Sequence, residues 1–471
     1  MIKKLFTLLI TAVITINLCS CLDSSSSSTS YNDTAITSFS IGTLKKQVHT
    51  TSSTGEDSVY TTTVSGSSYN FTIDHYGKQI YNKDSLPYLT IPKALVTLTT
   101  DNSGVACWVS TTSDDTLYSY SSSDSVEFYQ PRKLTVFSSN GNADRTYTVT
   151  VNVHKEDSST VHFTEYENIP DEFKSSKYMD IHCIDEYLYV LCKNKSGDTT
   201  HVYRASINNA DSWTKLTTNM TLSGDMAETS TASETMIYAI NNGDIIATSD
   251  GSNWATIASG VNFDKMIGAT DYEMYALNNG TIYVSNDYGY TWNADKLGDP
   301  ESYLPLENIS FFYRPVDGYA DYVRMVIVGT RDYFDDAKIW SKLVNISNSS
   351  DSGEWLEVEA GTHTSPLPAY TSLTVAPYGY YMVACGASTG NEDYDFDITD
   401  VKISKDFGLT WQKDTTLTNT ITANVICPNK QLRTATDKTG RIWMVCGGSG
   451  SVYSFFKNIM LWRTRKKYFN S

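Results

Sequence analysis

Hydrophobic and polar positions alternate with a period of two along most of this chain, and few stretches space apolar residues at helical intervals. The clearest case is "RKLTVFSSNGNADRTYTVTVNVH", residues 132–154. There Tyr147, Val149, Val151 and Val153 fall on one parity, and Thr146, Thr148, Thr150 and Asn152 on the other. That pattern predicts a half-buried antiparallel strand. It is joined to the strand before it through "SNGNAD", where Asn and Gly accept the positive φ of a hairpin turn. Further short strands are expected at "ITSFSIGTL", "YNFTIDHYG", "ALVTLTT", "VACWVS" and "VEFYQ". Residues 35–155 therefore read as a small all-β domain.

From about residue 160 the pattern repeats. "SETMIYAINNGDIIATSDGSNW" (233–254) and "DYEMYALNNGTIYVSNDYGYTW" (271–292) each hold a strand, an Asn-Asn-Gly turn, a second strand and an acidic turn that ends in Trp. Trp254 and Trp292 stand 38 residues apart, and worn copies end at Trp213, Trp355, Trp411 and Trp462, giving six units. A repeat of this length, built of strands and turns without helices, predicts a β-propeller, because one four-stranded sheet buries its two faces only between neighbours. The segment "VHFTEYENIP" either closes the last blade or belongs to another, so seven blades stay open.

One turn is written twice, as "SNDYGYTW" (285–292) and "SKDFGLTW" (404–411). It resembles the Asp-box of sialidase-like propellers. On that resemblance Ser285, Asp287, Gly289, Thr291 and Trp292, with Ser404, Asp406, Gly408, Thr410 and Trp411, are architectural. They hold the turn between the third and fourth blade strands, on the face opposite the family's ligands. The ending "TYTVTV" of the first domain resembles Ig-like modules that precede propellers in lipoproteins of the Bacteroides group. The expected fold is thus all-β: an Ig-like β-sandwich followed by a six-bladed, or else seven-bladed, Asp-box propeller over residues 160–471.

The N-terminus changes the picture of where the chain works. "MIKK" and the apolar run "LFTLLITAVITINL" form a signal peptide over residues 1–20. "LCSC" resembles a lipobox, which implies lipidation of Cys21. The serine run "LDSSSSSTS" then reads as a flexible tether within residues 21–34. The implied location is the cell envelope or outer membrane, held by lipid, with the surface and periplasmic sides both open. A net charge of −17 excludes a nucleic-acid partner on repulsion grounds. Six cysteines follow the tether. Three of them, Cys192, Cys385 and Cys446, occupy one column of the repeat, which places them well apart around the ring as packing thiols.

Candidate chemistry is sparse. Catalysis of the sialidase kind needs three inner arginines as a carboxylate clamp, plus a Tyr nucleophile. Only Arg314, in "FFYRPVDG", and Arg433 fall on inner strands, so catalytic residues are not assigned. No His-Glu-x-x-His, Cys-x-x-Cys, Gly-x-Ser-x-Gly or phosphate-binding glycine loop occurs. Two long turns stand out instead, "TRDYFDDAK" (330–338) and "ASTGNEDYDFDITD" (387–400). Tyr333, Phe334, Tyr394 and Phe396 are placed to stack on sugar rings, while Asp395, Asp397 and Asp400 are oxygen ligands suited to calcium. The expected function is non-catalytic binding of a glycan or an envelope protein. A degenerate glycoside hydrolase and a scaffold in an outer-membrane complex are the alternatives.

Overall fold

A computed structural model describes residues 31–51, 57–157, 159–316, 318–358, 366–379, 381–387, 400–427 and 431–457. The chain divides into two compact units, residues 1–157 and 158–471.

The first unit is all β. A six-stranded sheet runs in the order Phe71–Asp74, Gln79–Asn82, Asp144–Thr150, Arg132–Phe137, Val105–Val109, Leu117–Ser119. A three-stranded sheet is formed by Ile36–Ile41, Lys93–Thr100 and Ser125–Glu127, and another by Asp57–Ser65, Thr43–Thr51 and Thr90–Ile91. The alternation seen in the sequence sets the core. Tyr147, Val149 and Val151 are buried with Leu134 and Val136, while Thr148 is exposed. The 132–150 hairpin pairs Leu134 with Tyr147, the register in which one parity of both strands faces inward.

The second unit is a β-propeller domain. The described residues contain six four-stranded antiparallel sheets. Their innermost strands are Tyr178–Ile184, Thr231–Ala232, Lys265–Ala269, Glu307–Val316, Thr371–Tyr378 and Leu432–Thr436. Each of these touches the next in that order, and Leu432–Thr436 touches Tyr178–Ile184, which makes a closed ring. Strand pairing closes the ring as well. Val161–Tyr166 pairs antiparallel with Ser451–Lys457, so the strand that begins the unit is the outer strand of the sheet that ends it. The segment "VHFTEY" thereby joins the last sheet.

Two expectations need correcting. A ten-residue helix, Thr415–Asn424, links the fifth and sixth sheets where the repeat predicted only turns. Its Thr-rich sequence has weak helix propensity. Asp414 caps it by accepting from Leu417 N–H at 2.9 Å, and Leu417 and Ile421, four apart, are buried in the core between those sheets. The cysteines are also less dispersed than their shared column suggested. Cys385, Cys427 and Cys446 pack in one cluster between the fifth and sixth sheets, and Cys192 lies apart in another. All six described cysteines are free thiols.

Candidate functional site

Meander order fixes the two ends of the ring. First and third strands of a sheet run the same way, so turns from second to third strand lie at the leading end, where the innermost strands begin. Turns from third to fourth strand lie at the trailing end.

The repeated octapeptide occupies the trailing end, and its two copies superpose bond for bond. Ser285 Oγ donates to Asp287 Oδ1 at 2.8 Å and accepts from Gly289 N–H at 2.8 Å. The Asp287 carboxylate then takes both the N–H and the hydroxyl of Thr291, at 2.8 and 2.6 Å, and Trp292 donates its indole N–H to Gly289 O at 2.9 Å. Ser404, Asp406, Gly408, Thr410 and Trp411 repeat every one of these bonds within 0.1 Å. Gly289 and Gly408 both have φ of 90°, which only glycine adopts without strain. Thr248, Asp250, Gly251, Asn253 and Trp254 build a shorter version, with Trp254 donating to Gly251 O at 3.0 Å. Each carboxylate is consumed by its own turn. These residues organise backbone and leave little for a ligand.

The leading end is chemically different. Arg433, second residue of its strand, donates from Nε to the Tyr178 hydroxyl at 2.8 Å and from Nη1 to Leu432 O at 2.9 Å. Burial works against its charge, but the neighbouring Tyr178 and Asp180 outweigh that and hold its pKa above the ordinary value. Burial raises the Tyr178 phenol to about 12. Lys265, first residue of its strand, donates to Leu306 O at 3.0 Å. Its pKa is lowered, chiefly by burial, with Arg433 adding repulsion and Glu307 opposing both. Among the described residues neither cation has a carboxylate within 4.0 Å. Nearby, Lys193 is spoken for by Glu228 at 2.6 Å and Asp225 at 3.0 Å.

Beside them, Asp180, His182 and Ser230 form a compact group. Ser230 donates to Asp180 Oδ2 at 3.0 Å, and its oxygen lies 2.9 Å from His182 Nε2. Asp180 Oδ2 is 3.6 Å from the same nitrogen. A hydrolytic triad places acid and nucleophile on opposite ring nitrogens. This group does not. Burial also pushes the His182 pKa down, against the protonated form, and the ring packs as a polar contact.

The sequence-derived candidates scatter. Arg433 is at the leading end, but Arg314 is the eighth of ten residues in its strand and lies at the trailing end. Its guanidinium sits 3.6 Å from the centre of the Phe407 ring, inside the second octapeptide turn. The two arginines therefore do not converge. Tyr333 is at the leading end, fully exposed, with φ of 72°. Phe334 folds back on Tyr303 at 5.6 Å and under Lys338. Asp400 is paired with Lys413 at 2.6 Å, which occupies the carboxylate assigned to calcium. Tyr394, Asp395, Phe396 and Asp397 lie outside the described residues, as does Cys21. Sequence reasoning missed Lys265, Tyr178 and Glu228 because it aligned repeats on their Trp ends. Aligning on strand starts would have put Tyr178, Lys265 and Glu307 in one column.

Residues 39–151 match the N-terminal domain of a family described only as a domain of unknown function, DUF6242. Residues 164–469 match the DUF6242 beta propeller domain. No curated protein matches the chain. Solved structures similar in shape include a DUF4623 family protein from Bacteroides eggerthii, at 12% identity and TM-score 0.29 over 90% of this chain and 98% of that one. A family AA12 carbohydrate-active enzyme of Trichoderma reesei aligns at 10% identity and TM-score 0.36, covering 63% and 96%. Trypanosoma rangeli sialidase aligns at 12% identity and TM-score 0.39, covering 64% of this chain and 60% of its own.

Proposed function

The chain belongs to the DUF6242 family, and from that premise we propose that it is a lipid-anchored envelope protein whose propeller binds an acid-bearing glycan at the leading end of its ring, without cleaving it. One observation carries this reading. Lys265 and Arg433, both at the leading end and only partly exposed, are bonded to Leu306 O and to Tyr178 and Leu432 O respectively, with no carboxylate within 4.0 Å among the described residues. Asp180 and Glu228 already favour the Arg433 charge through space, but neither bonds it directly, and a partly buried guanidinium gains most from a carboxylate at hydrogen-bond distance. A ligand would supply that carboxylate, and the planar fork of Arg433 suits it. Asp180, Glu228 and Glu307 nearby, with the chain's net charge of −17, disfavour polyanions and select a ligand with one acidic group. Tyr333, exposed at the same end, supplies a face for a sugar ring.

In this reading the six sheets are the blades, and the N-terminal unit is an Ig-like module raised from the membrane by lipid at Cys21 and the serine tether. The test is an array of acidic and neutral glycans probed with the full chain, with and without calcium. Saturable retention of a carboxylate-bearing glycan, lost in Arg433→Ala and weakened in Lys265→Met, supports it. An array blank for acidic glycans, or binding unchanged in Arg433→Ala, overturns it.

A further inference from the structure

A concave surface lies wholly within the N-terminal unit. It is a cleft of about 530 Å³ lined by the edge strands of two different sheets, Leu117–Ser119 and Ser125–Glu127. Its size sits within the roughly 300–1,000 Å³ typical of small-ligand sites.

Its lining has a definite chemistry. Trp108 forms the floor, 6% exposed and held edge-on by Phe128 at 5.9 Å. Trp108 pairs directly across the sheet with Tyr118, so both rings stand on one face. Tyr118 and Tyr129 are 58% and 63% exposed, although a tyrosine ring gains from burial. Two such rings left open around one concavity are available to a ligand. The charges balance. Lys93 pairs with Glu127 at 2.8 Å. Arg132 donates to the carbonyls of Glu127 and Val109, at 3.3 and 3.4 Å, and lies 5.7 Å from the Trp108 ring, while Asp124 offsets it. The rest of the lining is hydroxyl and amide, from residues such as Thr111, Ser119, Ser125 and Gln130, apart from the buried Val126.

We propose that this cleft binds a neutral oligosaccharide, with pyranose faces on Tyr118 and Tyr129 and ring hydroxyls bonded to the polar rim. Cancelled charge gives an anion nothing to neutralise. A polar rim penalises a lipid tail or an apolar helix. An extended peptide would need a long free edge for main-chain pairing, and each edge strand here is three residues. Sugars suit the combination that remains, apolar C–H faces bordered by hydroxyls. The site is independent of the ring, which was assigned an acidic ligand through Arg433.

The full chain is titrated calorimetrically with maltohexaose, cellohexaose, laminarihexaose, xylohexaose and mannohexaose. At least one binds saturably, about tenfold more weakly in Tyr118→Ala and in Tyr129→Ala, as expected for loss of one stacking face. The double variant loses binding, and Arg433→Ala leaves it unchanged. Both tyrosines are exposed, so circular dichroism and melting of the variants match the parent. No binding by any hexaose at millimolar concentration overturns the proposal. So does binding that survives the double variant, or a cleft that takes a peptide and no hexaose.

Discussion

Arg433 and Tyr178 are joined at 2.8 Å across the seam between the sixth and first sheets, with the guanidinium carbon also 5.3 Å from the centre of the Tyr178 ring. The phenol thus fixes where the guanidinium points. Tyr178→Phe keeps the ring and removes the acceptor at Nε, leaving the bond to Leu432 O, so more of the ordering of the fork falls to the ligand. Binding of the acidic glycan found on the array is expected to weaken about tenfold, a loss of the size of one charge-assisted hydrogen bond. Calorimetry measures the affinity. A melting temperature close to the parent's separates positioning from folding.

Two of the acidic turns at the trailing end, those of Asp250 and Asp287, make a pH prediction. Four hydrogen bonds, led by that from the Asn253 N–H, lower the Asp250 pKa to about 2, against an ordinary 3.8. A carboxyl whose folded pKa is depressed adds stability that is complete above its unfolded pKa and disappears as pH falls through the folded one. The Asp250 contribution is therefore intact above about pH 4 and lost towards about pH 2. Asp287 is shifted in the same direction by its bonds to Thr291. Urea melts at a series of pH values should show stability falling across that window, and Asp250→Asn should flatten part of the fall. A parent curve level from pH 5 to pH 2 contradicts this.

Much of the fold is legible because its rules are local. Alternation in 145–151 marks the buried face, and Asn242-Gly243 and Asn279-Gly280 carry the positive φ that a two-residue hairpin demands. The octapeptide states its own hydrogen bonds. What was not legible depends on partners distant in sequence. The helix Thr415–Asn424 exists because two of its residues find a core between sheets, and propensity speaks against it. The leading-end cations come from strands 168 residues apart, 265 and 433, and neither belongs to a motif. Arg314 and Arg433 looked equivalent as inner-strand arginines, but position within the strand separates them. Only strand boundaries supply that.

Between the third and fourth sheets, one buried cation holds two carboxylates. Lys342 donates to Asp295 at 2.7 Å and to Glu273 at 3.4 Å, and all three side chains are under 10% exposed. Glu273 also accepts from the Tyr275 hydroxyl, and Asp295 from the Trp355 indole at 2.9 Å. Lys342→Met leaves both acids buried without a cation, and is expected to cost about 3–5 kcal/mol. Replacing all three with apolar residues of similar volume should recover most of that, since the desolvation penalty leaves with the charges. Equilibrium urea unfolding of the single and triple variants decides it. A triple variant no more stable than the single one would show that the network contributes more than its charges cost.

The ring's integrity depends on the strand Val161–Tyr166. Its backbone pairs with Ser451–Lys457 from Val161–Lys457 to Tyr166–Val452, and among the described residues no other strand covers that edge. Its side chains seal the same sheet. Phe163 lies 5.6 Å from Tyr453, and Tyr166 stacks on Trp443 at 5.3 Å, with its hydroxyl 3.1 Å from Ser454 Oγ. A propeller closed this way resists opening because its first and last strands share one sheet, and loss of that strand exposes a ready template for aggregation. A chain beginning at residue 168 should therefore melt about 10 °C or more lower than one beginning at residue 158, the shift that several kcal/mol produces in a domain of this size. It should also aggregate at lower concentration. A peptide spanning 159–168, added in trans, should restore part of the melting temperature by refilling the edge, whereas the same peptide carrying Phe163→Ala and Tyr166→Ala should not. Equal melting of the two truncations would mean that the ring is held by packing between sheets alone, with the closing strand dispensable.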